Sequence, residues 1–163
     1  MRLSRVILFI LICTFIAQAA IYYAILPDPM ASHFNGIGQP DNWMSKQGFF
    51  IFEGVILLIL ICEFTLVPRW IEKMPDSMMN LPNKSFWLAP ERRAETFDTF
   101  RHFFEWFAVL LLTLFIAVNQ LVFRANLRHE NLEAVAIWSI LAVFLLSVII
   151  WLIKLIGHFR TVN

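Results

Sequence analysis

Side chains able to move a proton or hold a metal are scarce in this chain, with four histidines and twelve Asp and Glu among 163 residues. They fall into two groups. The first lies around the stretch LPDPMASHFNGIGQPDNWMSK, Leu26–Lys46, where His33 and Asn35 are followed by Gly38, Trp43 and Lys46. Glu53 comes about two turns into the next apolar stretch, and Asn119 and Arg124 approach the same level from a third, with His129 and Glu130 just beyond. The second group gathers Glu63, Asn83, Lys84, Trp87, Arg92, His102 and Glu105. A divalent metal held by His33 with Glu53, or by His102 with Glu105 and Glu63, and keeping an open position would activate water. A binding site asks for less: a folded loop presenting His33 and Asn35 inward, with Trp43 at its edge.

Each group has a plainer structural reading. Glu53 would need only Arg124 or Lys46 as a counter-charge, and His33 would hydrogen-bond loop backbone. In the second group the spacing is helical. Glu91, Glu95, Asp98, His102 and Glu105 form one stripe at 100° per residue, with Phe97, Phe100, Phe104 and Phe107 roughly opposite. That stripe suits either a metal or proton site or a solvated helix face. Neither group offers a full ligand set, so metal-assisted catalysis is the alternative and a non-enzymatic binding role the expectation; the cofactor is left open.

Other chemistries lack their residues. The chain has no G-x-S-x-G, P-loop or Rossmann pattern, and His129-Glu130-Asn131 is not HExxH. Asn131 and Glu133 read instead as the cap and first turn of a helix, and His158 as an exposed interface residue. The two cysteines, Cys13 and Cys62, lie in apolar stretches without CxxC spacing and read as filler of a packed interior. A net charge of +1 with no basic block excludes a nucleic-acid partner.

The elements that must position these residues are membrane helices. The chain is 60% hydrophobic and only 15% charged, too little charge to coat a water-soluble domain of this length. Four stretches reach the ~20 apolar residues of a bilayer-spanning helix: about 5–25, 48–67, 103–123 and 132–156. All seven prolines fall outside them. Residues 1–163 thus read as a single all-α transmembrane domain, a four-helix bundle. Ten of the thirteen Lys and Arg lie at the start of the chain up to Arg5, between spans two and three, or from Lys154 onward. Both termini and the 68–102 loop are therefore expected inside, and loops 26–47 and 124–131 outside. Trp43, Trp70, Trp106 and Trp151, with Tyr22 and Tyr23, fall near the expected interfaces. Arg2, Arg5 and Ala17-Gln18-Ala19-Ala20 also fit a signal peptide, but the apolar run continues through Ile25 and a retained helix is the expectation.

The outer loop reads as a folded lid. Pro27 and Pro29 impose an extended exit from helix one. Asn35-Gly36 and Gly38 tolerate positive φ, Pro40-Asp41 marks a turn, and Ser45 is placed to cap helix two. On the inner side, Pro90 suits the first position of an amphipathic helix running into span three.

Two motifs carry a resemblance. The run Leu-Pro-x-x-Met-x-x-His-Phe-Asn-x-x-Gly-x-Pro-Asp-x-Trp-x-Ser-Lys at 26–46 resembles the signature of a bacterial membrane domain of unknown function. That domain also forms the N-terminal part of SdpI-type immunity proteins, which protect cells from a secreted toxic peptide. The stretch NLPNKSFWLAPERRAET, Asn80–Thr96, resembles the same family's second patch, Asn-x-Pro-Asn-Lys-x-x-Trp. With the matching spans, the resemblance covers most of the chain, which looks like a shorter form than SdpI itself. It implies a multi-pass protein of the bacterial inner membrane with a sensing, binding or immunity-type role. Its expected partners are the lipid bilayer and a peptide or another membrane protein, and an oligomer is compatible with the sequence.

Overall fold

The computed structural model describes residues 2–161. In chain order these form α1 (Leu3–Ile25), β1 (Met30–Phe34), β2 (Pro40–Met44), α2 (Lys46–Lys73), a 3-10 turn (Asp76–Met78), the single-turn α3 (Lys84–Trp87), α4 (Arg93–Arg128) and α5 (Ala134–Arg160). The helices α1, α2, α4 and α5 are long and apolar enough to cross a membrane, the pattern of a multi-pass membrane protein.

At 36 residues, α4 is the spine. It extends about 54 Å at 1.5 Å per residue, against roughly 30 Å of bilayer hydrocarbon. It packs against α1, α2, α5 and β1. Its two ends project past the apolar layer, and the polar elements gather there. One end carries the β1–β2 hairpin. The other, the clasp end, carries the start of α1, α3 and the end of α5.

The reading of an all-α chain needs one amendment. The 26–47 segment holds a two-stranded antiparallel sheet, with Met30 opposite Met44, Ala31 opposite Trp43, His33 opposite Asn42 and Phe34 opposite Pro40. Strands of five residues with two register irregularities leave little periodic signal. Pro40 occupies the first residue of β2, where its missing N–H is tolerated.

The helix limits differ in three places. The helix leading into span three starts at Arg93, with Pro90 in the preceding turn. α2 runs on through Pro68, one residue beyond the expected span. α5 starts at Ala134 with Glu133 at its N-cap and no side-chain cap, so Asn131 does not cap it. The Ser45 cap forms as expected, its hydroxyl accepting from Gly48 N at 3.1 Å. Cys13 and Cys62 are exposed free thiols on helix faces, not interior filler.

The best-packed core lies under the hairpin. Met30, Phe49, Phe123 and Leu132 meet there with Leu26, Val122 and Ala125, and Met30 and Phe123 are essentially inaccessible. A strand pair this small is marginal alone, so its seat on α4 supplies the apolar face it needs.

Candidate functional site

The hairpin is shaped by neutral amides. The Asn35 side chain accepts from Ile37 N at 3.1 Å and Gln39 N at 2.9 Å, closing the turn from within. Gly38 takes φ +85°, and its carbonyl accepts from Leu132 N at 2.8 Å. A Cβ there would lie 2.0 Å from the Leu132 carbonyl oxygen, so only glycine lets the turn touch the α4–α5 connection. Asn126 of α4 seats the inner strand. Its Oδ1 accepts from Ala31 N at 2.6 Å and its Nδ2 donates to Ala31 O at 2.9 Å. One buried amide thus pairs with β1 as a neighbouring strand would.

At the base of the hairpin, Lys46 ties the two helix entrances together. Its Nζ donates to Leu26 O at 3.1 Å, and its backbone N–H to Asp28 Oδ1 at 3.0 Å. What remains open is a cleft of about 250 Å³. Pro29, Phe34, Pro40 and Trp43 line it from the hairpin, and Asn126, His129, Glu130 and Asn131 from the end of α4. Trp43 is 53% exposed, a large ring without cover. His129 ends α4 in the left-handed conformation, φ 55°, which turns the chain across the cleft. Proline and aromatic walls beside the Asn131 amide, an imidazole and a carboxylate offer stacking and hydrogen bonds in one place.

The outer group expected from sequence therefore separates. His33 is exposed, its Nδ1 2.5 Å from Asp41 Oδ1, and does not point inward. Asn35 and Gly38 build the turn, Lys46 the base, and Trp43 the cleft. Glu53 lies below, buried, and accepts from Asn119 Nδ2 at 2.7 Å. Neither expected counter-charge reaches it, since Lys46 is on Leu26 O and Arg124 Nη2 lies 3.9 Å from Glu133.

The inner group is a clasp. Asn83, at φ 51°, donates to the carbonyls of Phe159 at 3.3 Å and Arg160 at 2.9 Å. The Trp87 indole donates to Phe159 O at 2.9 Å. These satisfy the last carbonyls of α5, which its own helix leaves free. Phe159 is buried between the rings of Phe100 and Trp87, at 4.6 and 5.3 Å. Arg92 stacks over Phe86 at 3.5 Å, and Lys84 begins α3.

The acidic stripe docks α1. Glu105 accepts from Ser4 Oγ at 2.5 Å and from Arg5 Nε at 2.7 Å, while Asp98 pairs with Arg2 and with Arg101. His102 Nδ1 stands 3.9 Å from Glu105, beyond hydrogen-bond range, and Glu63 is exposed elsewhere on α2. Among the described residues no three His, Cys, Asp or Glu converge to hold a metal ion.

An apolar groove of about 340 Å³ lies between α4 and α5. Its hydroxyls, on Thr113, Ser139 and Ser147, donate to their own helices at Val109 O, Val135 O and Val143 O. Sequence reasoning left Asn126, Ser4 and Gln18 out of both candidate groups. For Asn126 a signal exists: it stands seven residues after Asn119, two turns on, so both amides share one face of α4.

Residues 9–57 match a family described as a domain of unknown function (DUF1648). The match begins inside α1, passes through the hairpin and ends inside α2. An uncharacterized protein of Archaeoglobus fulgidus is 30% identical over 122 residues, covering 66% of this chain and 62% of the relative. The chain thus spans less than two thirds of that relative's length. No solved structure matches.

Proposed function

We propose that this chain is a binding module of the bacterial cytoplasmic membrane, with its termini inside and its hairpin outside, that takes an extended peptide in the hairpin cleft. The cleft itself carries the reading: it joins an uncovered tryptophan and proline walls to hydrogen-bonding groups that the fold leaves accessible. Orientation is supported by charge, since Lys46, Arg124 and Arg128 are the only Lys and Arg of thirteen at the hairpin end. The family match spans the hairpin. The resemblance to SdpI-type proteins favours a secreted peptide as ligand and a sensing or immunity-type outcome.

The test places a photoactivatable phenylalanine analogue at Trp43 in the full chain in native membranes. A peptide adduct that disappears in Asn131→Trp, which fills the cleft, is the expected result. Lipid adducts alone, or equal adducts in both proteins, would overturn peptide binding. Orientation is tested separately, with Cys13 and Cys62 replaced by alanine and a single cysteine at Asn42 or Ser85. An impermeant maleimide should label the first from outside the cell and not the second.

A further inference from the structure

We propose that Glu53 is a proton-binding site inside the helix bundle, with the Gln18 amide oxygen as the acceptor for the bound proton. Two incomplete groups line one small space. Glu53 is 7% exposed, and its partner is an amide, Asn119, with no cation beside it. Gln18 of α1 donates through Nε2 to Ile116 O at 3.1 Å and to Gln120 Oε1 at 3.0 Å. Its amide hydrogens are therefore committed, while its Oε1 is buried and has no donor among the described residues. Both side chains border the same cavity between α1, α2 and α4.

A buried carboxylate without a counter-ion and a buried acceptor without a donor are each costly in an apolar surround. One proton removes both costs. It neutralises the carboxyl and turns one oxygen into an O–H donor that Gln18 accepts. A metal cation would answer the charge but needs its own volume and several oxygens. The cavity does not admit even a water molecule. The groups facing it are Phe15, Gln18 and Ala19 from α1, Phe50 beside Glu53, and Asn119 and Phe123 from α4, none of them titratable. The titratable group next along the network is Tyr22, whose hydroxyl accepts from Gln120 Nε2 at 2.6 Å. This site is separate from the hairpin cleft and stands whether or not that cleft binds a peptide.

The experiment is infrared spectroscopy of the full chain reconstituted in lipid, in potassium buffer at neutral pH. A carboxylic-acid C=O band present in the wild type and missing in Glu53→Gln is expected. Gln18→Leu should keep that band and move it to higher wavenumber, because the O–H loses its acceptor. Identical carboxylic-acid regions in wild type and Glu53→Gln would overturn the proposal. An unshifted band in Gln18→Leu would remove Gln18 from the site. Loss of the band on replacing potassium with sodium would make the site one for a metal cation, overturning the proton assignment.

Discussion

The two ends of the α4 spine hold polar groups by different mixtures of bonds: buried amides lead at the hairpin, and ion pairs join the Asn83 and Trp87 caps at the clasp. At the hairpin end, neutral amides bond to backbone: Asn126 to Ala31, and Asn35 to its own turn. At the clasp end, charges meet charges, with Arg5 on Glu105, Arg2 on Asp98, Arg101 on Glu72 and Arg93 on Asp76. An amide that satisfies backbone fixes a loop's shape and leaves neighbouring side chains uncommitted. Mutual ion pairs and caps consume the side chains that form them. The hairpin end thus keeps an open cleft with an uncovered Trp43, while Asn83 and Trp87 are used up in closing α5.

The largest test of this contrast is Asn126→Leu. It strands the N–H and C=O of buried Ala31, and each unsatisfied buried group costs about 1–3 kcal/mol, so the loss should be roughly 2–6 kcal/mol. Denaturant unfolding in detergent measures it, and tryptophan emission should report release of Trp43 from the hairpin. A loss under about 1 kcal/mol would mean that apolar packing at Met30, not the amide, seats the strand. Gly38→Ala comes next, at about 2–4 kcal/mol, from a left-handed backbone and a clash with the Leu132 carbonyl. Proteolysis in the 35–39 turn should rise with it. Unchanged protease resistance would show the α4–α5 connection yielding instead.

At the clasp end, Glu105→Gln keeps the shape and deletes the charge. Arg5 is half exposed, so solvent already screens the pair, and about 1–2 kcal/mol is expected. High salt should weaken the wild-type clasp and leave Asn126-dependent stability unchanged. Equal salt sensitivity at both ends would erase the distinction drawn between them.

The four long helices were legible because length, apolar runs and proline placement are local properties of the chain. The acidic stripe was also legible as a stripe, since Asp98, His102 and Glu105 follow helical spacing. What it touches was not, because the partners Ser4 and Arg5 lie about a hundred residues earlier. The PNKxxW patch shows the same limit. Its residues looked like recognition chemistry, and they cap a helix that ends more than seventy residues later. The hairpin went unread as a sheet because Asn126, from a distant helix, completes the pairing of β1. Glu53 was legible as an ionisable residue within an apolar span. The expected cation beside it is an amide.

His33→Ala is the smallest expected effect and the sharpest on function. The His33–Asp41 pair lies on the outer side of the hairpin with both side chains exposed, and exposed pairs add little to stability. The melting temperature should not change. Photo-adduct yield from Trp43 should not change either, since His33 does not line the cleft. An unchanged melt with a lost adduct would mean that the ligand extends over the hairpin's outer face and meets the imidazole there. The binding surface would then be the whole hairpin, and the hairpin end would differ from the clasp end in exposed chemistry as well as in its cleft.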